Sequence, residues 1–176
     1  MLRPTVALVL STLSTLFAVS WSSGLAAQSG PQNVGIYVSE NGSTISGVIC
    51  GFDCANPGNV VPVASQVTRT IDVRVLGDLG MPGFIILSVS EIGSCPGLVV
   101  PGIGNSVLVA PWNAVYSGGV GSLGPYRAGG CNTGVGLVIA GWQLPVAAQG
   151  VPITFQGLVF ANGVPAFTRA IRLTAM

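Results

Sequence analysis

Glycine or proline interrupts this chain so often that a long helix has no room to form. The 26 Gly and 12 Pro of its 176 residues recur every few positions, and no apolar stripe repeats at the helical period between them. In a helix interior Gly costs about 1 kcal/mol and Pro about 3 kcal/mol relative to Ala. Short runs rich in Val, Ile, Thr and aromatic residues fill the gaps, each bounded by turn residues, which is the pattern of an all-β chain. Strands are expected over residues 33–39, 44–50, 66–76, 84–89, 106–110, 135–146, 151–161 and 167–175. Glu40-Asn41-Gly42-Ser43 joins the first two as a hairpin, because Asn-Gly tolerates the positive φ of a tight turn. Ile71, Val73 and Val75 alternate with Asp72 and Arg74, so that strand buries one face and wets the other. Residues 50–63 and 93–104 read as loops, and residues 111–131, with six Gly, as an irregular segment. In the last strand Arg169 shares a face with Phe167, Ile171 and Leu173. Either a bulge shifts the register there or a carboxylate such as Asp72 pairs with it.

About seven to nine such strands predict a single antiparallel β-sandwich, with a β-barrel as the alternative. Residues 28–66 form an N-terminal hairpin and Cys loop and residues 67–176 the sandwich, together one domain.

Charge is the second constraint. Six Arg and five acids are the only charged side chains, 6% of the residues, and there is no His and no Lys. Without His, the Ser-His and Cys-His pairs and imidazole metal sites are excluded. So few cations exclude a phosphate-reading surface, so no nucleic-acid partner is expected. Residues 1–27 read as a secretory signal peptide: Arg3, then an apolar stretch over 6–21, then Gly24-Leu25-Ala26 before the cleavage point. A membrane anchor is the alternative, weakened by Ser11, Thr12, Ser14 and Thr15 within a barely sufficient span. The expected mature chain is secreted, periplasmic or cell-surface, keeps no stable transmembrane span, and balances five Arg against five acids.

Four cysteines in an exported chain favour disulfides. Cys50–Cys54 and Cys95–Cys131 are the expected pairs, the first closing a tight loop and the second tying loops 36 residues apart. A four-cysteine zinc site lacks close pairs on both sides, and Cys50-Gly-Phe-Asp-Cys54 has the wrong spacing for a redox motif. No metal and no cofactor are expected.

Between residues 68 and 176 the chain resembles a set of small secreted β-sandwich proteins, numerous in planctomycetes and related environmental bacteria. The resemblance rests on Met81-Pro82-Gly83-Phe84-Ile85-Ile86-Leu87, on Trp142-Gln143-Leu144-Pro145, on Phe155-Gln156-Gly157-Leu158-Val159-Phe160, and on a closing Arg169-Ala170-Ile171-Arg172-Leu173-Thr174. It implies an exported β-sandwich. It implies no reaction and lends no functional residue.

The carboxylates Glu40, Asp53, Asp72, Asp78 and Glu91 fall at turns and strand ends, and nothing pairs two of them across a cleft as a glycosidase requires. Asp53, Asn56 and Asn59 supply too few carboxylates for calcium. Serine has no base to activate it, so the chain is not expected to be an enzyme. Two roles remain. The first is a structural or interaction module of the cell envelope or matrix, pairing with itself or another exported protein through strand edges that no Lys protects. The second is a carbohydrate- or ligand-binding module in which Trp112, Asn113, Tyr116, Tyr126 and Arg127 of one long loop stack on and hydrogen-bond a glycan. Rings that merely cap the core would explain the same residues.

Overall fold

The computed structural model describes residues 32–52, 60–92, 97–103, 105–126 and 131–176. The expected leader, and Asp53, Cys54, Cys95 and Arg127, lie outside them. The described residues form thirteen strands and no α-helix. In chain order they are β1 (Gly35–Glu40), β2 (Ser43–Thr44), β3 (Ile49–Cys50), β4 (Val60–Ser65), β5 (Thr70–Gly77), β6 (Gly83–Ser88), β7 (Leu98–Val99), β8 (Ser106–Val107), β9 (Ala114–Val120), β10 (Gly124–Pro125), β11 (Gly134–Gln143), β12 (Pro152–Ala161) and β13 (Val164–Ala175).

Two main sheets hold them. One has the order β10-β11-β5-β1-β2, with β3 pairing the start of β1; the other has the order β4-β13-β12-β6-β9; β7 and β8 make a separate ribbon. The alternation read in β5 holds, with Ile71, Val73 and Val75 fully buried. With Ile36 and Val38 of β1 they face Ile85, Leu87, Phe155, Val159, Ile171 and Leu173 of the second sheet across one core. Each of those side chains contributes roughly 1.5–3 kcal/mol by leaving water. The hairpin at Asn41-Gly42 forms with positive φ at both residues, and Asn162-Gly163 repeats the device between β12 and β13.

Residues 97–110 cover part of the outer face of the second sheet. Val107 and Val109 pack on Phe167, while Leu108 packs with Phe52 and Ala170. Buried polar side chains fix this cover in place. The Gln156 amide accepts from the Leu108 N–H at 2.7 Å and donates to the Ser106 and Thr168 carbonyls at 3.1 and 2.9 Å. Asn105 both donates to the Phe167 carbonyl and accepts from its N–H, at 2.7 and 2.8 Å. Sheet and cover therefore share a hydrogen-bonded seam that has no water to fall back on.

Four expectations need correction. Residues 60–65 are strand β4 rather than loop, and they pair parallel to β13 from Val60↔Ala170 to Ser65↔Ala175. The sheets are therefore not wholly antiparallel. Pro62 disguises β4 in the sequence, yet Pro is tolerated on an edge strand, where one row of N–H groups has no partner anyway. Residues 111–131 are not irregular, since β9 and β10 run through them, in different sheets. Thirteen strands exceed the expected number because five are two-residue pieces; eight have six residues or more.

The fourth correction is the disulfide, which joins Cys50 to Cys131 across 81 residues with Cα atoms 5.3 Å apart. Sheet topology overrides closeness in sequence here. Cys50 lies opposite Gly35 of β1, Gly35 lies opposite Leu76 of β5, and Leu76 lies opposite Val135 of β11. The start of β11, and Cys131 just before it, is thereby brought to the same sheet end as Cys50. The bond crosses directly over Gly35, where an added Cβ would sit 2.6 Å from the Cys131 sulfur. Two sulfurs so bonded also rule out the four-cysteine zinc site.

At Arg169 it is the bulge that occurs. Phe167 opposes Leu158 and Ala170 opposes Gln156, so Thr168 and Arg169 together face Gly157. Asp72 is engaged elsewhere, with Arg74 and with the Gly141 N–H.

Candidate functional site

Every open sheet has edges, and an edge offers unpaired N–H and C=O groups to another chain. Among the described residues three edges are blunted. β4 carries Pro62, β10 is two residues long and contains Pro125, and β2 and β3 are two residues each. The remaining edge is β9, Ala114-Val115-Tyr116-Ser117-Gly118-Gly119-Val120, with seven residues, no Pro and no charge. Pairing on its inner side runs from Gly83↔Val120 to Ser88↔Ala114, with a register shift that leaves Val115 bulged. Its first four residues are all exposed.

Two neighbouring glycines would normally weaken a strand. Here Phe84 of β6 lies across from Gly119, and a Cβ on Gly119 would meet its ring at 2.6 Å. The ring supplies the cover that the glycine lacks, a cross-strand pairing of aromatic and glycine known to rescue edge positions. Gly118 is covered in the same way by the folded-back ring of Tyr116. The glycine content that hides β9 in the sequence is thus compatible with a strand once two aromatic neighbours are in place. The β-forming run from Ala114 to Ser117 was the only signal for it.

A groove opens beside this edge. Facing β9, the second half of β11 pairs with β5 through two irregularities, between Leu137 and Ile139 and between Ile139 and Trp142. Gly141 takes a φ of +62° there, and its N–H is held by the Asp72 carboxylate at 2.8 Å. Each bulge adds a residue and twists the strand, so Trp142 turns edge-on against Phe155, with ring centroids 6.2 Å apart. Leu87, Val115, Tyr116, Val138, Ile139 and Trp142 enclose an apolar cavity of about 620 Å³, closed at one end by Gln143. No charged side chain lines it. The site therefore has no acid, base or activated nucleophile of its own. It offers apolar area, one phenol, one amide and a strip of free backbone.

The five residues expected to bind a ligand are separated by the fold. Trp112 and Asn113 sit in a 3₁₀ turn just before β9, Trp112 being 70% exposed. The Asn113 amide is spent on the Ser90 hydroxyl at 2.9 Å. Tyr116 lines the groove. Tyr126 follows β10 in the other sheet, where its ring lies 6.4 Å from that of Tyr37. Arg127 lies outside the described residues. Trp142, read from the sequence as core, forms a groove wall instead.

The carboxylates are structural. Glu91 takes paired hydrogen bonds from Arg172 and one from Thr154 at 2.6 Å. The Arg172 contact holds its carboxyl below the ordinary glutamate value, against the opposing effect of burial. Burial would raise Asp78, but hydrogen bonds from the Gly163 N–H, the Asn132 amide and the Asn162 N–H outweigh it and bring the carboxyl below the usual range. Arg69 pairs with Glu40 and Arg74 with Asp72. Among the described residues no three His, Cys, Asp or Glu side chains gather as a metal site would need. Comparison of the chain with protein-family models, curated proteins and solved structures finds no match.

Proposed function

We infer that this chain is an exported, non-catalytic interaction module of the cell envelope or extracellular matrix. It works by accepting an extended segment along β9, with the segment's apolar side chains entering the groove beside β11. The observation that carries this is the β9 edge, the one long edge among the described residues with neither Pro nor charge to blunt it. Main-chain hydrogen bonds give affinity in strand addition, and side-chain pockets give selectivity. A disulfide fits an oxidising compartment. The test is amide hydrogen exchange over residues 114–120 with an uncharged seven-residue peptide of alternating Val and Thr. Protection of the β9 amides, lost in Val115→Lys while the circular dichroism stays native, is the expected result. An exchange pattern unmoved by the peptide overturns strand addition.

A glycan is the second reading, favoured by the 70% exposure of Trp112 beside Tyr116. It expects Trp112→Ala to abolish binding to a sugar array while leaving peptide protection of β9 intact. Equal array signals for the two proteins exclude it.

A further inference from the structure

Granting that β9 accepts a strand, we propose that its partner is β9 of a second copy, paired antiparallel about a two-fold axis through Ser117. The sequence of the strand carries this. Its bulky residues, Val115 and Tyr116, lie before the centre, and its glycines, Gly118 and Gly119, lie after it. Antiparallel pairing centred on Ser117 sets Tyr116 against Gly118 of the second copy, and Val115 against its Gly119. Ala114 then meets Val120 at either end. No large side chain opposes another, whereas a parallel match would stack Tyr116 on Tyr116. Direct cross-strand neighbours have Cβ atoms about 5 Å apart, so this matching of size is felt at contact.

Charge allows the approach. β9 has no charged residue, and the chain beyond residue 27 carries equal numbers of Arg and acids, so copies do not repel. A two-fold contact also closes on itself, leaving no free edge to propagate a fibre. The groove-side ring of Tyr116 and the exposed Trp112, Val115 and Phe84 supply the apolar area. Their exposed surface is at most roughly 450 Å² per copy, short of the roughly 800 Å² of a standard interface. The dimer is therefore weak, with a Kd of roughly 10–100 µM.

Light scattering across a concentration series, on the oxidised chain, should show the mass rising from one chain to two and stopping there. Under mild oxidation Ser117→Cys should link two chains. Val115→Cys should not, because about four residues of strand, roughly 14 Å, separate the symmetry-related pair. A dimer that Ser117→Cys fails to link overturns the two-fold register, and growth beyond two chains overturns closure. A chain that stays monomeric at about 1 mM, ten or more times the expected Kd, overturns the second copy as partner. Strand addition itself then stands if the Val-Thr peptide protects β9 and falls if it does not. A monomer whose β9 amides are already protected without peptide has its edge covered by its own chain, which overturns both.

Discussion

Glu91 is the residue whose protonation the fold feels most directly. It lies after β6, yet it reaches β12 through Thr154 and β13 through Arg172, so one carboxylate ties three strands of the second sheet. Its pKa is lowered in the folded chain, chiefly by Arg172. A carboxylate whose pKa falls on folding stabilises fully above its unfolded value, near 4.3 for glutamate, and that contribution is lost as pH drops through the folded value. Asp78, also lowered, acts in the same direction. Glu91→Gln should be less stable than the parent at pH 7 and should lose less on acidification below about pH 4. Melting temperatures measured from pH 7 down to pH 2 check this. Parallel curves for the two proteins would show that the pair with Arg172 contributes nothing.

At the level of elements, legibility followed the density of side-chain pattern. β5, β6, β11, β12 and β13 were readable because their apolar residues alternate or run together between clear turns. β4 and β9 were not, because each carries a residue that argues locally against a strand and is excused only by position: Pro62 at an unpaired edge, Gly118 and Gly119 under aromatic cover. For the same reason the candidate site was half legible. Tyr116 was named from the sequence, but the groove needs Trp142 and the bulged half of β11, which meet β9 only through the packing of two sheets. The hairpin turns were the surest local reading, and they can be tested. Asn162 holds a φ of +54°, next to Gly163, whose N–H is bound by Asp78 at 2.8 Å. Asn162→Ala should cost about 1 kcal/mol, since a left-handed conformation disfavours a Cβ without a local polar partner, whereas Asn162→Gly should be close to neutral. Urea unfolding distinguishes the two, and equal midpoints for both variants would contradict a backbone origin.

For the whole molecule, low charge shifts the burden of stability onto burial and onto one covalent link. Three ion pairs with partly exposed arginines contribute little each. The Cys50–Cys131 bond closes a loop of 81 residues, for which the chain-entropy model gives about 4–5 kcal/mol, with measured values more often about 2–4 kcal/mol. Cys50→Ser with Cys131→Ser should therefore lower stability by about 2–4 kcal/mol while leaving the β-sheet spectrum native. A change below about 0.5 kcal/mol in urea would mean that the unfolded chain is already constrained there.

The parallel pair of β4 with β13 also imposes an order of events on synthesis. Val60 leaves the ribosome 110 residues before Ala170, its partner. At about 5–20 residues per second, β4 waits roughly 5–20 s for a strand that does not yet exist. β13 is an interior strand, flanked by β12 and β4, so the second sheet cannot assemble around a shorter chain. A nascent polypeptide of this design stays open until its last strand has been made, which is the state in which a translocation channel can thread it.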